Sequence, residues 1–337
     1  MNLSDPKYSK YALVREMLET SEVVLKFDHS VSERFAKSLG GKKALFLTGE
    51  GSSRIFPAKR AIYDVLKAGG PVSIMTEGAT QAMEYKLKDF AVFGASNSGK
   101  TKEVVRLFMK LKEEGHDAFF GLTANADTTL ESLSLDTHVM NCGKEDAVAA
   151  TKSVVEQGLF YDSLLRRLEN KELDGLKQLA EDIHTALVQE IDPEIVSILK
   201  NADKIYFAGK NTGVVEELTL KTNEITRKKS DYLEGTYAVH GIEEVMEENE
   251  VVIVVDPFES EEEKFTECLV KGIGMKVIAI SSRETSFPTI RIPEGGDYKD
   301  YVELAAGWNV LVEIGIALGI DLDKPVRARK VGNEYIL

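Results

Sequence analysis

The stretch Phe90–Thr101 has the sequence FAVFGASNSGKT, an apolar run that ends in a loop rich in glycine and serine. This pattern predicts a buried strand, a loop and the start of a helix. Unpaired N–H groups at a helix N-terminus, hydroxyl donors and a glycine that admits an anion closely suit a phosphate. From Gly94 to Thr101 the stretch also satisfies G-x-x-x-x-G-K-[ST], the nucleotide P-loop pattern. On its own it leaves a nucleotide and a sugar phosphate open.

The length and charge of the chain limit its class. Its 337 residues are enough for two domains of ordinary size. The formal net charge of −14 argues against nucleic acid or an anionic membrane surface as a partner. No apolar run approaches the roughly 18 residues that span a bilayer, and Met1–Lys10 is polar, so we expect a cytoplasmic protein. Cys142 and Cys268 are too few for a disulfide scaffold or a cysteine-rich metal site, and we expect no metal and no cofactor.

Short apolar runs separated by helical stretches occur twice along the chain. Such alternation predicts an α/β fold of two tandem domains, each a doubly wound, flavodoxin-like sheet of five parallel strands flanked by helices. The second set of runs follows the first by about 160 positions, which indicates an internal repeat. The predicted strands are Ala44–Thr48, Val72–Thr76, Phe90–Gly94, Ala118–Thr123, Thr137–Asn141, Lys204–Ala208, Asp231–Leu233, Val251–Asp256, Lys276–Ser281 and Ile290–Ile292.

The remaining segments complete the predicted organisation. Each domain is expected to end in a long helix, Ala149–Leu168 in the first and Tyr301–Leu318 in the second. The predicted parts are an N-terminal helical segment at 1–38, a first domain that binds phosphate at 39–170 and a charged helical connector at 171–194. A second domain at 195–318 and a tail at 319–337 that closes the active site follow.

The two predicted domains differ in the loop after their third strand. In the first domain this loop is Ser96–Thr101, whereas in the second it is the acidic Asp256–Glu261, which would repel a phosphate. Both domains keep a glycine-containing loop after their first strand, Gly49–Ser53 and Ala208–Gly213. Ligands of such folds bind at the carboxyl ends of the strands, where the strand order reverses. We therefore expect the phosphate in the first domain and other chemistry in the second.

The nucleotide hypothesis fits the whole chain less well than it fits the loop. A nucleotide P-loop normally follows the first strand of its domain, and a carboxylate that ends a nearby strand helps to hold its Mg²⁺. Here the loop follows the third strand, and the apolar run that ends in a carboxylate, Val251–Asp256, belongs to the other domain. Lys100 can equally be a first-turn lysine that adds positive charge beside an anion.

Three motifs together resemble the sugar isomerase (SIS) domain family: Gly51–Ser53, Ser96–Thr101 and Asp146–Lys152. Their doubled arrangement is similar to the isomerase half of glucosamine-6-phosphate synthase and to stand-alone phosphosugar isomerases, deaminases and deglycases. The resemblance implies that the sugar phosphate is bound by Gly51, Ser52, Ser53, Ser96, Asn97, Ser98, Thr101, Val148 and Ala150. Lys100 stands where the family usually has glutamate, and Ala150 where it often has a hydroxyl residue, which points to a different sugar.

Lys221, Glu224 and His240 keep a spacing that the same family uses, K-x-x-E followed sixteen positions later by histidine. The resemblance implies that Glu224 moves a proton between C1 and C2, that Lys221 assists, and that His240 of a neighbouring subunit helps to open the ring. The chemistry agrees, because proton transfer through an enediol needs a carboxylate base and a donor for the oxyanion. Residues three apart lie on one face of a helix, so an ordinary surface pair is the alternative for Lys221 and Glu224.

The tail Pro325–Lys330 resembles the synthase's terminal P-R-N-L-A-K. This similarity implies that Lys330 forms a Schiff base with a ketose, as an amine with a lowered pKa could. The adjoining Arg327 and Arg329 leave surface charge as an alternative explanation.

The sequence thus predicts an enzyme, a phosphosugar isomerase that acts on a hexose or amino-hexose 6-phosphate, with or without deamination. Three alternatives stay open: a fructosamine-6-phosphate-type deglycase, a regulator that binds a sugar phosphate without turnover, and a P-loop nucleotide enzyme. Because the chain shows no nucleophilic cysteine near Met1, we expect no use of glutamine. The expected partners are a small-molecule sugar phosphate and a second copy, in a homodimer with a shared active site.

Overall fold

The computed structural model describes residues 1–327 and 334–335, and the chain forms two compact units. Each unit is built around its own sheet of five parallel strands, so the predicted fold class is confirmed. The first unit contains Glu22–Glu145, Ala150–Leu176 and Arg329–Leu337. The second unit contains Met1–Ser21, Asp146–Ala149 and Lys177–Ala328.

The sheet of the first unit has the order β2-β1-β3-β4-β5, with every neighbouring pair parallel. Because the strand order reverses between β1 and β3, the loops that follow these two strands open onto one crevice. The strands are β1 Ala44–Gly49, β2 Ser73–Gly78, β3 Phe90–Ala95, β4 Phe119–Thr123 and β5 Asp136–Val139.

The second unit repeats this topology, with the order β10-β9-β8-β6-β7. Its first and third strands, β6 and β8, are again neighbours, and all pairs are parallel. The strands are β6 Lys204–Gly209, β7 Lys229–Glu234, β8 Val251–Val255, β9 Lys276–Ser281 and β10 Thr289–Arg291.

Helices flank both sheets. Helix α11 continues into a π-helical turn, Thr222–Thr226, and α12 into another, Thr266–Ile273. The α-helices are α1 Pro6–Ser9, α2 Ala12–Lys26, α3 Ser32–Ser38, α4 Ile55–Ala68, α5 Ala79–Ala82, α6 Lys102–Glu113, α7 Thr129–Leu133, α8 Lys152–Leu168, α9 Leu176–Val188, α10 Pro193–Asn201, α11 Val214–Lys221, α12 Glu262–Phe265 and α13 Lys299–Ala317. Within the described residues, none of these helices has the length and apolar character needed to cross a membrane.

Buried aromatic rings hold β3 in the core of the first unit. Phe93 of β3 lies 5.0 Å from Phe120 of β4 and 6.0 Å from Phe160 of α8, measured between ring centroids. Phe35 of α3 contacts all three rings. Aromatic side chains contribute large buried areas and specific edge-to-face contacts, so this cluster fixes the strand that carries the loop Ser96–Thr101.

All ten predicted strands exist, with bounds that differ from the prediction by at most two residues. The start of α8 was predicted wrongly: the helix begins at Lys152, not at Ala149. The reason is the carboxylate of Glu145, which accepts the backbone N–H of Thr151 at 2.7 Å and that of Ser153 at 3.4 Å. These are the free N–H groups of the first helical turn, so the acceptor fixes where the helix starts.

His138 of β5 is expected to make the fold sensitive to acid. Its ring is buried and stacks on Phe160 at 5.1 Å, and burial lowers the pKa of His138 from 6.5 to about 4. At a pH between these two pKa values, the unfolded chain binds more protons than the folded chain. The free energy of unfolding therefore decreases as the pH falls from about 6.5 to about 4. The loss is at most about 3 kcal/mol. We expect the free energy of unfolding of His138→Gln to change less over this pH range than that of the parent protein, as measured by urea unfolding followed by circular dichroism. Equal losses of stability in the variant and the parent would contradict the role of His138.

Candidate functional site

Two loops meet at the reversal point of the first unit. The turn Gly51–Ser53 follows β1, and Ser96–Thr101 follows β3 and leads into α6. A Cβ atom at Gly49 would lie 2.9 Å from the carbonyl oxygen of Ser53 and 3.0 Å from that of Ala95. Only glycine fits between them without displacing backbone. The predicted motifs are therefore brought together at the edge of the sheet where such folds bind ligands.

The Ser96–Thr101 loop holds its shape through its own hydroxyl groups. The hydroxyls of Ser96 and Thr101 are 2.7 Å apart, and Ser96 Oγ also accepts the N–H of Thr101 at 3.2 Å. Ser98 Oγ accepts the N–H of Lys100 at 3.2 Å. Gly99 has a φ of +65°, and a Cβ there would lie 2.4 Å from the side chain of Thr128. The loop thus turns sharply at Gly99 and leads directly into the N-terminus of α6, where backbone N–H groups favour an anion.

A buried carboxylate that the sequence analysis missed anchors this loop. Glu145 accepts the Nδ2 group of Asn97 at 2.9 Å, as well as the N–H of Thr151 and the hydroxyl of Ser153. Its side chain is buried. The only signal in the sequence is that Glu145 directly precedes the motif Asp146–Lys152. Through Glu145, the loop after β3 is tied to the start of α8.

Part of the C-terminal tail lies along the same loop. Glu334 forms an isolated antiparallel bridge with Thr101, and the N–H of Tyr335 donates to the carbonyl oxygen of Lys100 at 2.8 Å. Lys100, the departure from the family pattern, has an exposed side chain. Lys330, the predicted Schiff-base lysine, lies outside the described residues.

In the second unit, Lys221 and Glu224 form the pair that their spacing predicts. The Lys221 ammonium lies 2.8 Å from the Glu224 carboxylate and 3.2 Å from that of Glu217. Burial alone would lower the pKa of Lys221, but the charges of Glu224 and Glu217 outweigh it and raise that pKa above the ordinary lysine value. Lys221 and Glu217 are fully buried, whereas the Glu224 side chain is 22% exposed. Glu224 is therefore the member of the trio that a ligand can reach.

Glu217 was not singled out from the sequence, although it lies four positions before Lys221. That spacing places the two side chains on one face of α11. Glu224 itself lies on the π-helical turn that extends α11. Such turns interrupt regular helix geometry and are frequent at functional sites. The turn leaves Lys221 between two carboxylates, one fully buried and one at the surface of a cavity.

The cavity that Glu224 faces has a volume of about 510 Å³, within the range of small-molecule sites. Val148, a predicted sugar contact, is in its wall, while Ala150 belongs to the first unit and is not. The wall residues are Val148, Ala149, Asn223, Glu224, Arg227, Lys228, Lys229, Leu322, Pro325, Val326 and Arg327. The tail segment Pro325–Arg327 thus contributes to this cavity.

His240 does not line the Glu224 cavity. It follows a short helical turn, Tyr237–Val239, and its side chain is exposed. Its Nε2 atom is 3.1 Å from the Nζ atom of Lys264. Because an ammonium group can only donate, Nε2 is the acceptor in this contact. Within one chain, His240 and Glu224 are therefore not brought together in this cavity.

The loop of the second unit that corresponds to Ser96–Thr101 contains a partly buried acidic residue. Asp256 follows β8, the third strand of that unit, and accepts hydrogen bonds from the ammonium groups of Lys210 and Lys299. Burial alone would raise the pKa of Asp256, but the two lysines outweigh it and hold that pKa below its usual value. This loop thus carries a carboxylate that is paired with two lysines, whereas the Ser96–Thr101 loop carries hydroxyl groups. Within residues 1–327 and 334–335, no group of three or more histidine, cysteine or acidic side chains is arranged to hold a metal ion.

Comparison with known proteins identifies part of the chain. Residues 38–167 match the SIS domain family, so the family assignment predicted for the first domain is confirmed over this range. The second unit has the same strand order but lies outside the matched range, and its assignment to the family stays a prediction. A search among curated proteins found no significant match.

Solved structures share the fold of nearly the whole chain. The tagatose-6-phosphate ketose/aldose isomerase of Escherichia coli is 15% identical, with a TM-score of 0.78 over 95% of this chain and 98% of its own. The C-terminal domain of glucosamine-fructose-6-phosphate aminotransferase from Francisella tularensis is 19% identical, with a TM-score of 0.76 over 94% of this chain and 98% of its own. The glucosamine-6-phosphate deaminase of Thermotoga maritima is 18% identical, with a TM-score of 0.72 over 96% of this chain and 98% of its own. At these identities the likeness concerns the fold.

Proposed function

We propose that this protein is a phosphosugar isomerase that acts on a hexose or amino-hexose 6-phosphate. The observation that carries the proposal is the position of Glu224, a partly exposed carboxylate held by the fully buried Lys221 at the wall of a cavity of sugar size. The SIS match over residues 38–167 and the isomerase and deaminase among the structures of similar fold support the same class. The protein would act in the cytoplasm as a homodimer.

In the proposed reaction, Glu224 removes the proton from C2 of the open-chain aldose and returns it to C1, which gives the ketose. The electron pair of the C–H bond moves into a C1–C2 double bond, and the carbonyl oxygen at C1 becomes an enediolate oxygen. The hydroxyl proton on O2 passes to this oxygen, so the return of the carbon-bound proton to C1 leaves a carbonyl group at C2 and a hydroxyl group at C1. A general base of this kind contributes about 10²- to 10⁴-fold to the rate. Because Lys221 is fully buried, it acts by orienting Glu224 and not as a donor to the sugar oxygen. His240, contributed by a second copy, would exchange the proton that opens the ring.

The loop Ser96–Thr101 and the turn Gly51–Ser53 are proposed to bind the phosphate. Each precedes a helix N-terminus, α6 and α4 respectively, and both carry hydroxyl groups. A thermal-shift series tests this with glucose 6-phosphate, fructose 6-phosphate, glucosamine 6-phosphate and the same sugars without phosphate. A ligand that binds only the folded state raises the melting temperature as its concentration rises. We expect shifts with the phosphates alone; no shift with any of them would contradict the proposal.

Lys100 separates a sugar-phosphate loop from a nucleotide P-loop. In a P-loop the lysine contacts the phosphates and Mg²⁺ is required. Here the Lys100 side chain is exposed, so we expect Lys100→Ala to change the Kd of the bound sugar phosphate by no more than about threefold, an effect typical of one exposed charge. We also expect EDTA to have no effect. Titration calorimetry checks both, and Mg²⁺-dependent ATP binding that Lys100→Ala abolishes would establish the nucleotide alternative.

The alternatives differ in their products. Deamination releases ammonia, and a deglycase releases an amine from a fructosamine 6-phosphate. A regulator binds the sugar phosphate but exchanges no hydrogen at C1 or C2. Product analysis by NMR after incubation with fructose 6-phosphate, glucosamine 6-phosphate and a fructosamine 6-phosphate distinguishes them.

A further inference from the structure

The second unit has a crevice of its own where its strand order reverses. Strands β6 and β8 are neighbours in the sheet although β7 lies between them in the sequence, so the loops that follow β6 and β8 open at one point. The two strand ends lie close together, since a Cβ atom at Gly209 would be 2.4 Å from the carbonyl oxygen of Val255. Only glycine fits there without displacing backbone. In doubly wound folds this is the position where ligands bind.

Three charged side chains from three different elements meet at this crevice. Lys210 directly follows β6, Asp256 directly follows β8, and Lys299 is the first residue of α13. The two ammonium groups donate to the Asp256 carboxylate, one to each of its oxygens. The side chains of Lys210, Asp256 and Lys299 are 30%, 13% and 24% exposed, so both ion pairs are mostly shielded from water, which strengthens the attraction. One carboxylate therefore joins two cations.

Asp256 holds this position although its backbone is strained. Its φ is +45°, in the left-handed region that a residue other than glycine adopts at some energetic cost. Ser96, which follows the third strand of the first unit, does not have a positive φ. Burial alone would raise the pKa of Asp256, but the two lysines outweigh it, so the carboxylate stays charged at neutral pH. The contacts of this anion with the lysines offset the strain.

Two further acidic residues of α13, Asp300 and Glu303, belong to the same group of side chains. A carboxyl oxygen of Glu303 lies 3.8 Å from the Lys299 ammonium. Burial, together with the charges of Asp300 and Asp256, raises the pKa of Glu303 well above its ordinary value, which favours the neutral carboxyl group. Without the Asp256 carboxylate, the group would therefore carry two positive charges against the single negative charge of Asp300.

We propose that this crevice is a binding site for a phosphate-class anion and that Asp256 occupies it as an internal ligand. Two ammonium groups and the N-terminus of a long helix are features that bind phosphate, and a phosphate near neutral pH brings close to two negative charges for the two lysines. The inference goes beyond the proposed function, because Lys210, Asp256 and Lys299 all belong to the second unit and none of them lines the Glu224 cavity. It implies that the second unit binds a phosphate only when Asp256 is replaced.

Rescue of an Asp256 variant by inorganic phosphate tests the proposal. In Asp256→Gly the carboxylate is removed, and glycine adopts a φ of +45° without strain. We expect this variant to unfold at a lower urea concentration than the parent, because two ion pairs are lost. Added phosphate should reverse most of this loss, whereas sodium chloride at the same ionic strength should not. The fluorescence of Trp308 reports the unfolding, since this single tryptophan is buried in α13, the helix that begins at Lys299.

The size of the rescue follows from the affinity. Two charge-assisted hydrogen bonds support a Kd on the order of 1 mM for phosphate. Phosphate at about 100 mM should then favour the folded state of the variant about 100-fold. Asp256→Ser is a second variant with the same expected rescue, because serine also leaves the place of the carboxylate open.

Three controls restrict the effect to the crevice. The parent protein measures any effect of phosphate bound elsewhere, so only the excess in the variant counts. Lys210→Gln/Asp256→Gly also removes one of the two cations, and we expect the excess to fall at least about tenfold. Glu244→Gln removes one negative charge from an exposed position of the second unit, and it should respond to phosphate as the parent does.

Three results would overturn the site. The first is a phosphate response of the Asp256 variants no larger than that of the parent, and the second is an excess that survives in Lys210→Gln/Asp256→Gly. The third is rescue by sodium acetate but not by phosphate, which would mean that Asp256 makes an ordinary ion pair in a space too small for phosphate. If neither Asp256 variant folds in buffer alone, recovery of the folded state in phosphate supports the site, and no recovery overturns it.

Discussion

Glu224→Gln should lower kcat by about 10²- to 10⁴-fold, the contribution of a general base. The Kd of the sugar phosphate should stay within about tenfold, because glutamine keeps the size of the side chain and the proposed phosphate site does not include Glu224. Glutamine can accept a hydrogen bond from Lys221 but cannot take a proton from carbon. Steady-state kinetics with the sugar phosphate found in the binding series, together with calorimetric Kd values, measure both quantities.

The control for this variant is Glu244→Gln. Glu244 is an exposed glutamate of the second unit that does not line the cavity, so its replacement should leave kcat unchanged. Full turnover by Glu224→Gln would show that another group removes the proton. A loss of kcat accompanied by an equal loss of binding would instead indicate that Glu224 only holds the ligand.

Lys221→Met should destabilise the second unit by about 3–5 kcal/mol, the usual effect of removing one partner of a buried ion pair. Methionine fills much the same space, but Glu217, which is fully buried, would lose the Lys221 ammonium that lies 3.2 Å from it. Urea unfolding can be followed by the fluorescence of Trp308, because this single tryptophan is buried in α13 of the second unit.

A double variant separates the lost charge pair from lost packing. In Glu217→Gln/Lys221→Met neither buried charge remains, so at least half of the lost stability should return. If the double variant is as unstable as Lys221→Met, the loss comes from packing and the ion pair has no special role. If Lys221→Met unfolds at the same urea concentration as the parent protein, the network does not stabilise the second unit.

The strands could be predicted because their signal is local. Runs such as Val251–Val255 are continuously apolar, as strands buried on both faces must be, and glycine or charged residues end them. The start of α8 could not be placed by such a pattern. It depends on the carboxylate of Glu145, which accepts the N–H groups of Thr151 and Ser153, and a pattern of apolar residues carries no signal for such a contact.

The same distinction holds for the candidate site. The pairing of Lys221 with Glu224 follows from helix geometry, since residues three apart lie on one face. The cavity was not predicted, because residues such as Arg227 and Arg327 are far apart in the sequence and line one cavity only in the folded second unit. The burial of Lys221, on which its proposed positioning role depends, is likewise a property of packing around α11.

The most direct test of the account is hydrogen exchange at carbon in deuterated water. The protein is incubated with the sugar phosphate that gives the largest thermal shift, and deuterium at C1 and C2 is followed by NMR. Proton transfer through an enediol predicts deuterium at these two carbons and at no other, with the rate reduced at least about 10²-fold in Glu224→Gln. A sugar phosphate that binds tightly but gains no deuterium at C1 or C2 would contradict the proposed isomerase.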